Sequence, residues 1–197
     1  MTIKTETFET ELKFIKNETL KKLAEMLLEE TPDYMYKVPA SSTGKYHPSY
    51  GNGEGGLVKH IKASVRIAQE LLNLEMYSAI AQYHDYIIIA LLLHDALKYG
   101  QVNEKGEHSE YSCNNHAKLS TEWLLSLLQK FEFKPYENDI KYIAFLVLTH
   151  MGQWNTDFYT GVTFAPKPQT QEQMFVHLCD YLASRKCLEF NFDAEIK

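Results

Sequence analysis

The chain has 197 residues, of which 45% are hydrophobic, and its formal net charge is −6 at pH 7. This length and apolar content predict a single domain over residues 1–197. The negative charge argues against binding of long duplex nucleic acid, whereas a small anionic substrate is easier to accommodate. The sequence contains no run of eighteen uncharged apolar residues, no apolar N-terminal stretch and no Cys-x-x-Cys pair among its three cysteines. These features indicate a cytoplasmic protein with reduced thiols and no membrane insertion.

The first 56 residues predict one helix followed by a long loop. Apolar residues recur at helical spacing over residues 6–29, so we expect an amphipathic N-terminal helix within residues 1–31 that stops near Pro32. Residues 32–56 hold five of the nine glycines, three of the six prolines and four tyrosines. A loop of this length inside a domain is usually functional or disordered, and its tyrosines favour a lid that folds over another part of the protein.

A glycine-rich segment ends this loop. Residues 51–56 match Gly-x-Gly-x-x-Gly, but no strand pattern precedes them, so a dinucleotide site is not indicated. The apolar spacing that follows predicts a helix over about residues 57–74, with His60 near its start.

The next predicted helix is apolar on all sides over residues 86–93, which is typical of a central helix buried all round. Asp85 is the predicted N-cap, and His94 and Asp95 follow the apolar run. A histidine beside a carboxylate in such a place is costly unless a partner such as a metal cation uses both groups. The pair His84 and Asp85 has the same two letters but lies at the opposite end of the helix, so we select His94 and Asp95.

Three more helices are predicted after a polar loop over residues 99–112. One is capped by Asn114 or Asn115, one begins near Asn138, and the last starts with a capping box over residues 170–173. No strand pattern or repeat is evident, so we expect an all-α bundle in which residues 57–187 form a metal-binding core.

Six residues at helix ends or within helices of this core are the candidate metal ligands. They are His60, His94, Asp95, His116, His150 and Asp180. Each histidine alone is more often a structural residue than a ligand, but the ordered set favours a metal site. The alternative for His116 is an exposed residue at a helix start, and for His150 a cation at a helix C-terminus. His177 either supports a ligand or makes a core hydrogen bond.

The order of these residues resembles the HD superfamily of metal-dependent phosphohydrolases, with its histidine, apolar-apolar-His-Asp-x-x-Lys, further histidines and late aspartate. Over about residues 46–185 the chain is most similar to the HD domain of bacterial 3′-to-5′ exoribonucleases. The similar segments are 55–60, 93–95, 148–152, 166–168 and 177–180.

The resemblance implies that His60, His94, Asp95 and Asp180 hold one divalent metal. It implies that Asp95 also bridges to a second metal held by His116 and His150. Imidazole and carboxylate ligands suit Mn, Fe, Co, Ni or Zn. The implied catalytic residues are Asp95 and Lys98.

Four residues are candidates for substrate binding: Lys98, His47, Tyr46 and Trp154. The ammonium of Lys98 can reach the aspartate or a phosphate oxygen. We interpret Arg185 and Lys186 only as favourable charges near the end of the last helix.

The chain departs from the family pattern in three ways. Met151 replaces a possible further histidine, and Leu97 replaces a glycine, so we expect the helix to continue and Lys98 to point differently. No stretch outside the similar region is long enough for the RNA-binding domain of the exoribonucleases. The implied function is therefore hydrolysis of a nucleotide, cyclic nucleotide or short oligonucleotide by metal-activated water. The alternatives are a di-iron oxygenase of the superfamily and a non-catalytic nucleotide-binding module.

Overall fold

The computed structural model describes residues 2–188 of the chain. This part contains eight α-helices: α1 (Ile3–Thr7), α2 (Glu9–Leu12), α3 (Glu18–Glu29), α4 (Gly56–Leu71), α5 (His84–Leu93), α6 (His116–Ser126), α7 (Glu137–Leu148) and α8 (Gln171–Ala183). Short 3₁₀ helices join several of them, and the longest covers Glu75–Tyr83. No strand occurs within residues 2–188, where the β pairing is an isolated bridge between Thr156 and Thr163. The predicted all-α fold is confirmed.

Helix α5 is the centre of the fold. Every residue from Ile87 to Leu93 has an exposed fraction of 0%. Its sequence offers no polar face to water, so it packs against α3, α4, α7 and α8 at once. The buried apolar residues of the described chain form a cluster that extends from Phe8 to Ala183.

The stretch Glu75–Leu93 is long and apolar enough to span a membrane by length and composition alone. A core helix of a soluble protein has the same properties, and 50% of the tested window is buried inside the structure. The stretch is therefore weak support for a membrane span.

The N-terminal segment forms three helices, so the prediction of one helix is wrong. Phe8 leaves the helical conformation between α1 and α2. Asn17 then caps α3, because its side chain accepts hydrogen bonds from the backbone N–H groups of Thr19 and Leu20. A side chain that satisfies free N–H groups in this way starts a new helix inside a stretch whose apolar spacing is continuous.

The predicted cap of α5 is also wrong. The helix begins at His84, and the residue before it makes no side-chain cap. The Asp85 carboxylate instead accepts hydrogen bonds from the backbone N–H groups of Lys16, at 3.1 Å, and Asn17, at 2.8 Å. It thereby joins the start of α3 to the start of α5.

The other predicted caps have mixed outcomes. Asn115 is the residue before α6 but makes no side-chain hydrogen bond to it, and the amide of Asn114 donates to Asp157 instead. The capping box formed by Thr170 and Gln173 at the start of α8 is confirmed.

The loop over residues 32–56 is anchored to the core by its tyrosines. The hydroxyl of Tyr34 donates to the carbonyl of Gly100 at 2.7 Å, and that of Tyr50 donates to Ala183 at 3.0 Å. A side chain on Gly56 would lie 2.2 Å from the backbone oxygen of Gly51, so α4 starts with a residue that lacks one. The interpretation of this loop as a lid stays a prediction.

Candidate metal centre

The six predicted ligands meet at one place, delivered by five helices. His60 comes from α4, His94 and Asp95 follow α5, His116 opens α6, His150 follows α7, and Asp180 comes from α8. The exposed fractions are 5% or less for the four histidines and 0% for Asp95, while the side chain of Asp180 is 19% exposed. The exposed helix start expected as the alternative for His116 is thus not what the structure shows. Burial of so many polar groups together requires compensating charge or hydrogen bonds.

One half of the cluster joins His60, His94 and Asp180. Nε2 of His60 lies 3.3 Å from Nε2 of His94 and 3.0 Å from Oδ1 of Asp180. Nε2 of His94 lies 3.5 Å from the same oxygen. Oδ2 of Asp95 is 3.6 Å from both of these ring nitrogens.

The other half joins His116 and His150 to the second oxygen of Asp95. Oδ1 of Asp95 lies 3.0 Å from Nε2 of His116 and 3.5 Å from Nε2 of His150. The two ring nitrogens are 3.1 Å apart. Each carboxylate oxygen of Asp95 therefore faces one pair of histidines.

His94 borders both halves. The ligand atoms of His60, His94 and Asp180 lie within 4.8 Å of one another, and so do those of His94, Asp95 and His150. The first group contains three of the four residues that the resemblance implies for the first metal. The second group brings His94 next to His150, so the two halves share more than the Asp95 carboxylate.

Backbone carbonyls fix the orientation of three of the histidines. Nδ1 of His94 lies 2.7 Å from the carbonyl oxygen of Leu91, and His116 and His150 make the same contact with the residue three positions before them, at 2.7 and 2.8 Å. A carbonyl only accepts, so each Nδ1 carries the proton and each Nε2 directs a lone pair into the cluster. Neighbouring lone pairs repel unless a cation or a proton lies among them, and this donor set therefore fits a metal.

The electrostatics agree with this assignment. Burial and the neighbouring Lys98 lower the pKa of His116 to about 4, and burial lowers the pKa of His150. Both rings are thus neutral at pH 7, which is the form that binds metals and not the cation considered for His150. Burial alone would raise the pKa of Asp95, but Lys98 and the adjacent histidines outweigh it and hold that pKa well below its usual range.

The pKa values of the first half point the same way. Burial would raise the pKa of Asp180, but hydrogen bonds with His60 and His94 hold it well below its usual range. Burial lowers the pKa of His94 less than Asp95 and Asp180 raise it, so the net shift is upward. A positive charge is favoured at this point of the cluster, whether it is a proton or a metal cation.

A protein-family model described as HD domain matches residues 83–185, which is more than half of the chain. The chain belongs to the HD domain family. The matched segment of this HD domain includes five of the six cluster residues, whereas His60 precedes it and joins them through the fold. Comparison with curated proteins and with solved structures found no match. Members of the family bind divalent metals, and the clustered histidines and aspartates of this HD domain could hold such ions.

Lys98 points into the cluster of the HD domain. The expectation that Leu97 prolongs the helix is wrong, because α5 ends at Leu93 and residues 94–99 form tight turns. Leu97 is 4% exposed, and its N–H donates to the hydroxyl of Ser120 at 3.2 Å. Nζ of Lys98 consequently lies 3.1 Å from Oδ1 of Asp95 and 3.1 Å from Nε2 of His116.

A cavity of about 350 Å³ opens onto the cluster. Its walls include the four predicted substrate-binding residues, which are Tyr46, His47, Lys98 and Trp154. Burial, followed by the nearby His60, lowers the pKa of His47 to about 3, so this imidazole is neutral at pH 7. Nδ1 of His47 is buried and has no hydrogen-bond partner within the described residues. The structure thus brings all four candidates to one cavity, and their roles toward a substrate stay predictions.

The predicted site lacks part of the cavity wall. Tyr181, Ser184 and Arg185 line the cavity, so the interpretation of Arg185 only as a charge near a helix end is incomplete. A residue four positions after a ligand on a helix lies on the same face, so the spacing from Asp180 to Ser184 could have indicated this wall.

The remaining histidines have structural partners. Nδ1 of His177 lies 2.7 Å from the carbonyl oxygen of His150, so this residue supports a cluster residue through a hydrogen bond. His84 pairs with Asp85 and with Gln69, at 2.8 and 2.9 Å, outside the cluster. His108 lies in the polar loop over residues 99–112, and its ring packs against the rings of Tyr34 and Tyr99.

Proposed function

We propose that this HD domain is a metal-dependent phosphohydrolase that acts on a nucleotide, a cyclic nucleotide or a short oligonucleotide. The observation that carries the proposal is the position of Asp95, whose two oxygens each face a pair of histidines. The six cluster residues would hold one or two divalent cations, which would supply Lewis acidity and lower the pKa of water at the site. Mn, Fe, Co, Ni and Zn all suit these imidazole and carboxylate ligands.

The chain's own side chains bind and orient the reacting phosphate. Lys98 places its ammonium beside Asp95 and His116 at the wall of the cavity, where it can pair with a phosphate oxygen. His47 is neutral, and it can donate one hydrogen bond to the same group without adding charge. The carbonyls of Leu91, Cys113 and Val147 keep three imidazoles in the orientation that binding requires.

The cavity supports a small substrate. Its 350 Å³ lies near the lower end of the range for pockets that enclose small ligands, roughly 300–1,000 Å³. The exposed aromatic rings of Tyr46 and Trp154 suit stacking on a base. A mononucleotide, or the terminal nucleotide of a short oligonucleotide as in the exoribonucleases, is therefore the proposed substrate class.

The free thiols of the cysteines in residues 2–188 support a cytoplasmic location.

The test is hydrolysis of bis(p-nitrophenyl) phosphate and of a nucleotide panel by purified protein with Mn²⁺. We expect turnover by the wild-type protein and none by Asp95→Ala. Asp85→Asn is the matched control, because it alters the other His-Asp pair outside the cluster, and it should keep the activity within about twofold. Activity that survives Asp95→Ala would rule out the assignment, and O₂ consumption by protein containing two irons would replace it with an oxygenase.

A further inference from the structure

Arg185 lies in the wall of the cavity just after the end of α8. Its guanidinium carbon is 4.3 Å from the centre of the Tyr181 ring. Its Nε and Nη2 groups donate to the hydroxyl of Ser184, at 3.2 and 2.8 Å. The Tyr181 ring is in turn stacked on Trp154, with 5.5 Å between the centroids and 12° between the planes. Arg185 thus packs on an aromatic wall and lines a cavity large enough for a ligand.

The guanidinium keeps donors for a ligand. It has five N–H groups, and within residues 2–188 its hydrogen bonds go to Ser184. No carboxylate of the described chain forms an ion pair with it, and the nearby Asp180 is paired with His60 and His94. A guanidinium that is stacked on an aromatic ring and lacks an acidic partner is well suited to bidentate recognition of a phosphate.

Arg185 is also separate from the place where the reaction is proposed to occur. It follows Asp180 by five residues, beyond the end of α8, and its side-chain hydrogen bonds and ring contact within residues 2–188 are with Ser184 and Tyr181 and not with the six cluster residues. Lys98, by contrast, lies within 3.1 Å of Asp95 and already supplies positive charge for the reacting phosphate. The cavity therefore has one cation at the cluster and one on the aromatic wall.

We infer that Arg185 determines specificity by binding a second anionic group of the substrate. The inferred substrate class is a phosphate ester with a further phosphate, such as a nucleoside phosphorylated at both its 3′ and 5′ positions or the phosphorylated end of an oligonucleotide. The identity of the reacting phosphate rests on the proposed function, whereas the second anion site rests on the contacts of Arg185.

Equilibrium binding tests the site without turnover as the readout. The probes are thymidine 5′-monophosphate and thymidine 3′,5′-bisphosphate, titrated in the presence of Mn²⁺. Trp154 is one of two tryptophans, so Trp123→Phe leaves its fluorescence as the signal from this wall. In the Trp123→Phe background, we compare the protein that keeps Arg185 with the Arg185→Gln and Arg185→Lys variants. Lys186→Gln is the matched control, because it removes the same charge from the exposed neighbouring residue.

We expect the bisphosphate to bind about tenfold more tightly than the monophosphate, because one charge-assisted hydrogen-bonded pair contributes about this gain in affinity. Arg185→Gln should reduce the ratio of the two Kd values to about twofold or less. Arg185→Lys should give an intermediate ratio, and Lys186→Gln should leave the ratio unchanged. The inference is overturned if the ratio survives Arg185→Gln, if Lys186→Gln reduces it equally, if Arg185→Gln weakens both ligands alike, or if neither ligand binds.

Kinetics separate this inference from the proposed function. Thymidine 5′-(p-nitrophenyl phosphate) is compared with the same ester carrying a 3′-phosphate. Arg185→Gln should lower kcat/KM about tenfold more for the 3′-phosphorylated ester. If no ester is hydrolysed but the binding ratio depends on Arg185, the proposed function fails and the second anion site stands. If both esters are hydrolysed without regard to Arg185, the second anion site fails and the proposed function stands.

Discussion

Nε2 of His116 lies 3.1 Å from Nε2 of His150, although each ring directs its Nδ1 proton to a backbone carbonyl. Two lone pairs therefore face each other, and Oδ1 of Asp95 adds a third acceptor 3.0 Å from His116. Within the described residues, the ammonium of Lys98 is the cation that contacts these groups. The arrangement favours a divalent cation, which relieves the repulsion among the acceptors.

We expect divalent metals to raise the thermal stability of the protein. A cation at a hundred times its Kd stabilises the folded state by about 2.7 kcal/mol. For a chain of this size, that corresponds to an increase in Tm of roughly 5–10 °C. Thermal unfolding followed by circular dichroism, with Mn²⁺ and with EDTA, measures the shift. Asp95→Asn should remove it and Asp85→Asn should keep it, and an equal shift in both variants would contradict the role of Asp95.

Gly152 provides a test of the support for His150. A Cβ at Gly152 would lie 2.3 Å from the ring of His177, whose Nδ1 lies 2.7 Å from the carbonyl oxygen of His150. Gly152→Ala should displace this ring, destabilise the fold by about 1–3 kcal/mol and lower the bound metal measured by elemental analysis.

The control for this prediction is Gly161→Ala. Gly161 has a φ of +70° and Gly152 one of +58°, so both substitutions strain the backbone, but a Cβ at Gly161 meets no atom within 4 Å. Metal content should be unchanged in Gly161→Ala. A similar loss of metal in both variants would show that backbone strain, and not the contact with His177, is responsible.

The sequence was sufficient to predict the all-α fold and to name the six residues that the fold brings together. Periodicity and the apolar run before His94 are local signals, and the ordered histidines and aspartates add a pattern that does not depend on exact helix ends. Two of the misses have long-range causes. Asp85 makes its hydrogen bonds to Lys16 and Asn17, which are 69 and 68 positions away. The helical spacing from Asp180 indicates part of the cavity wall, but the stacking of the Arg185 guanidinium on the Tyr181 ring is a tertiary contact that no local pattern shows.

Asp85 should make the free energy of unfolding depend on pH in the acidic range. Burial raises its pKa, but hydrogen bonds with His84 and with the N–H groups of Lys16 and Asn17 outweigh this effect, so the pKa is lowered in the folded state. Its contribution is therefore present above the ordinary pKa of 3.8 and is lost as pH falls through the lower folded pKa. Asp85→Ala should destabilise the protein by about 1–2 kcal/mol at pH 7. Urea unfolding at pH 7 and pH 3 measures the difference from wild type, which should shrink at pH 3, and a constant difference would contradict the prediction.

A substitution of Lys98 distinguishes a catalytic role of this lysine from a structural one, because the two roles predict opposite effects on metal binding. Its ammonium lies 3.1 Å from Asp95 and from His116, where it opposes the approach of a metal cation. Lys98→Met removes this repulsion, so metal content should be kept or increased. Loss of the cation that pairs with the phosphate should at the same time lower kcat by about 10²–10³-fold. Lys118→Met, which removes an exposed lysine paired with Glu122 at 3.8 Å, is the control and should change neither quantity. If Lys98→Met instead lowers metal content and activity together, the lysine maintains the fold of the cluster and does not act on the substrate.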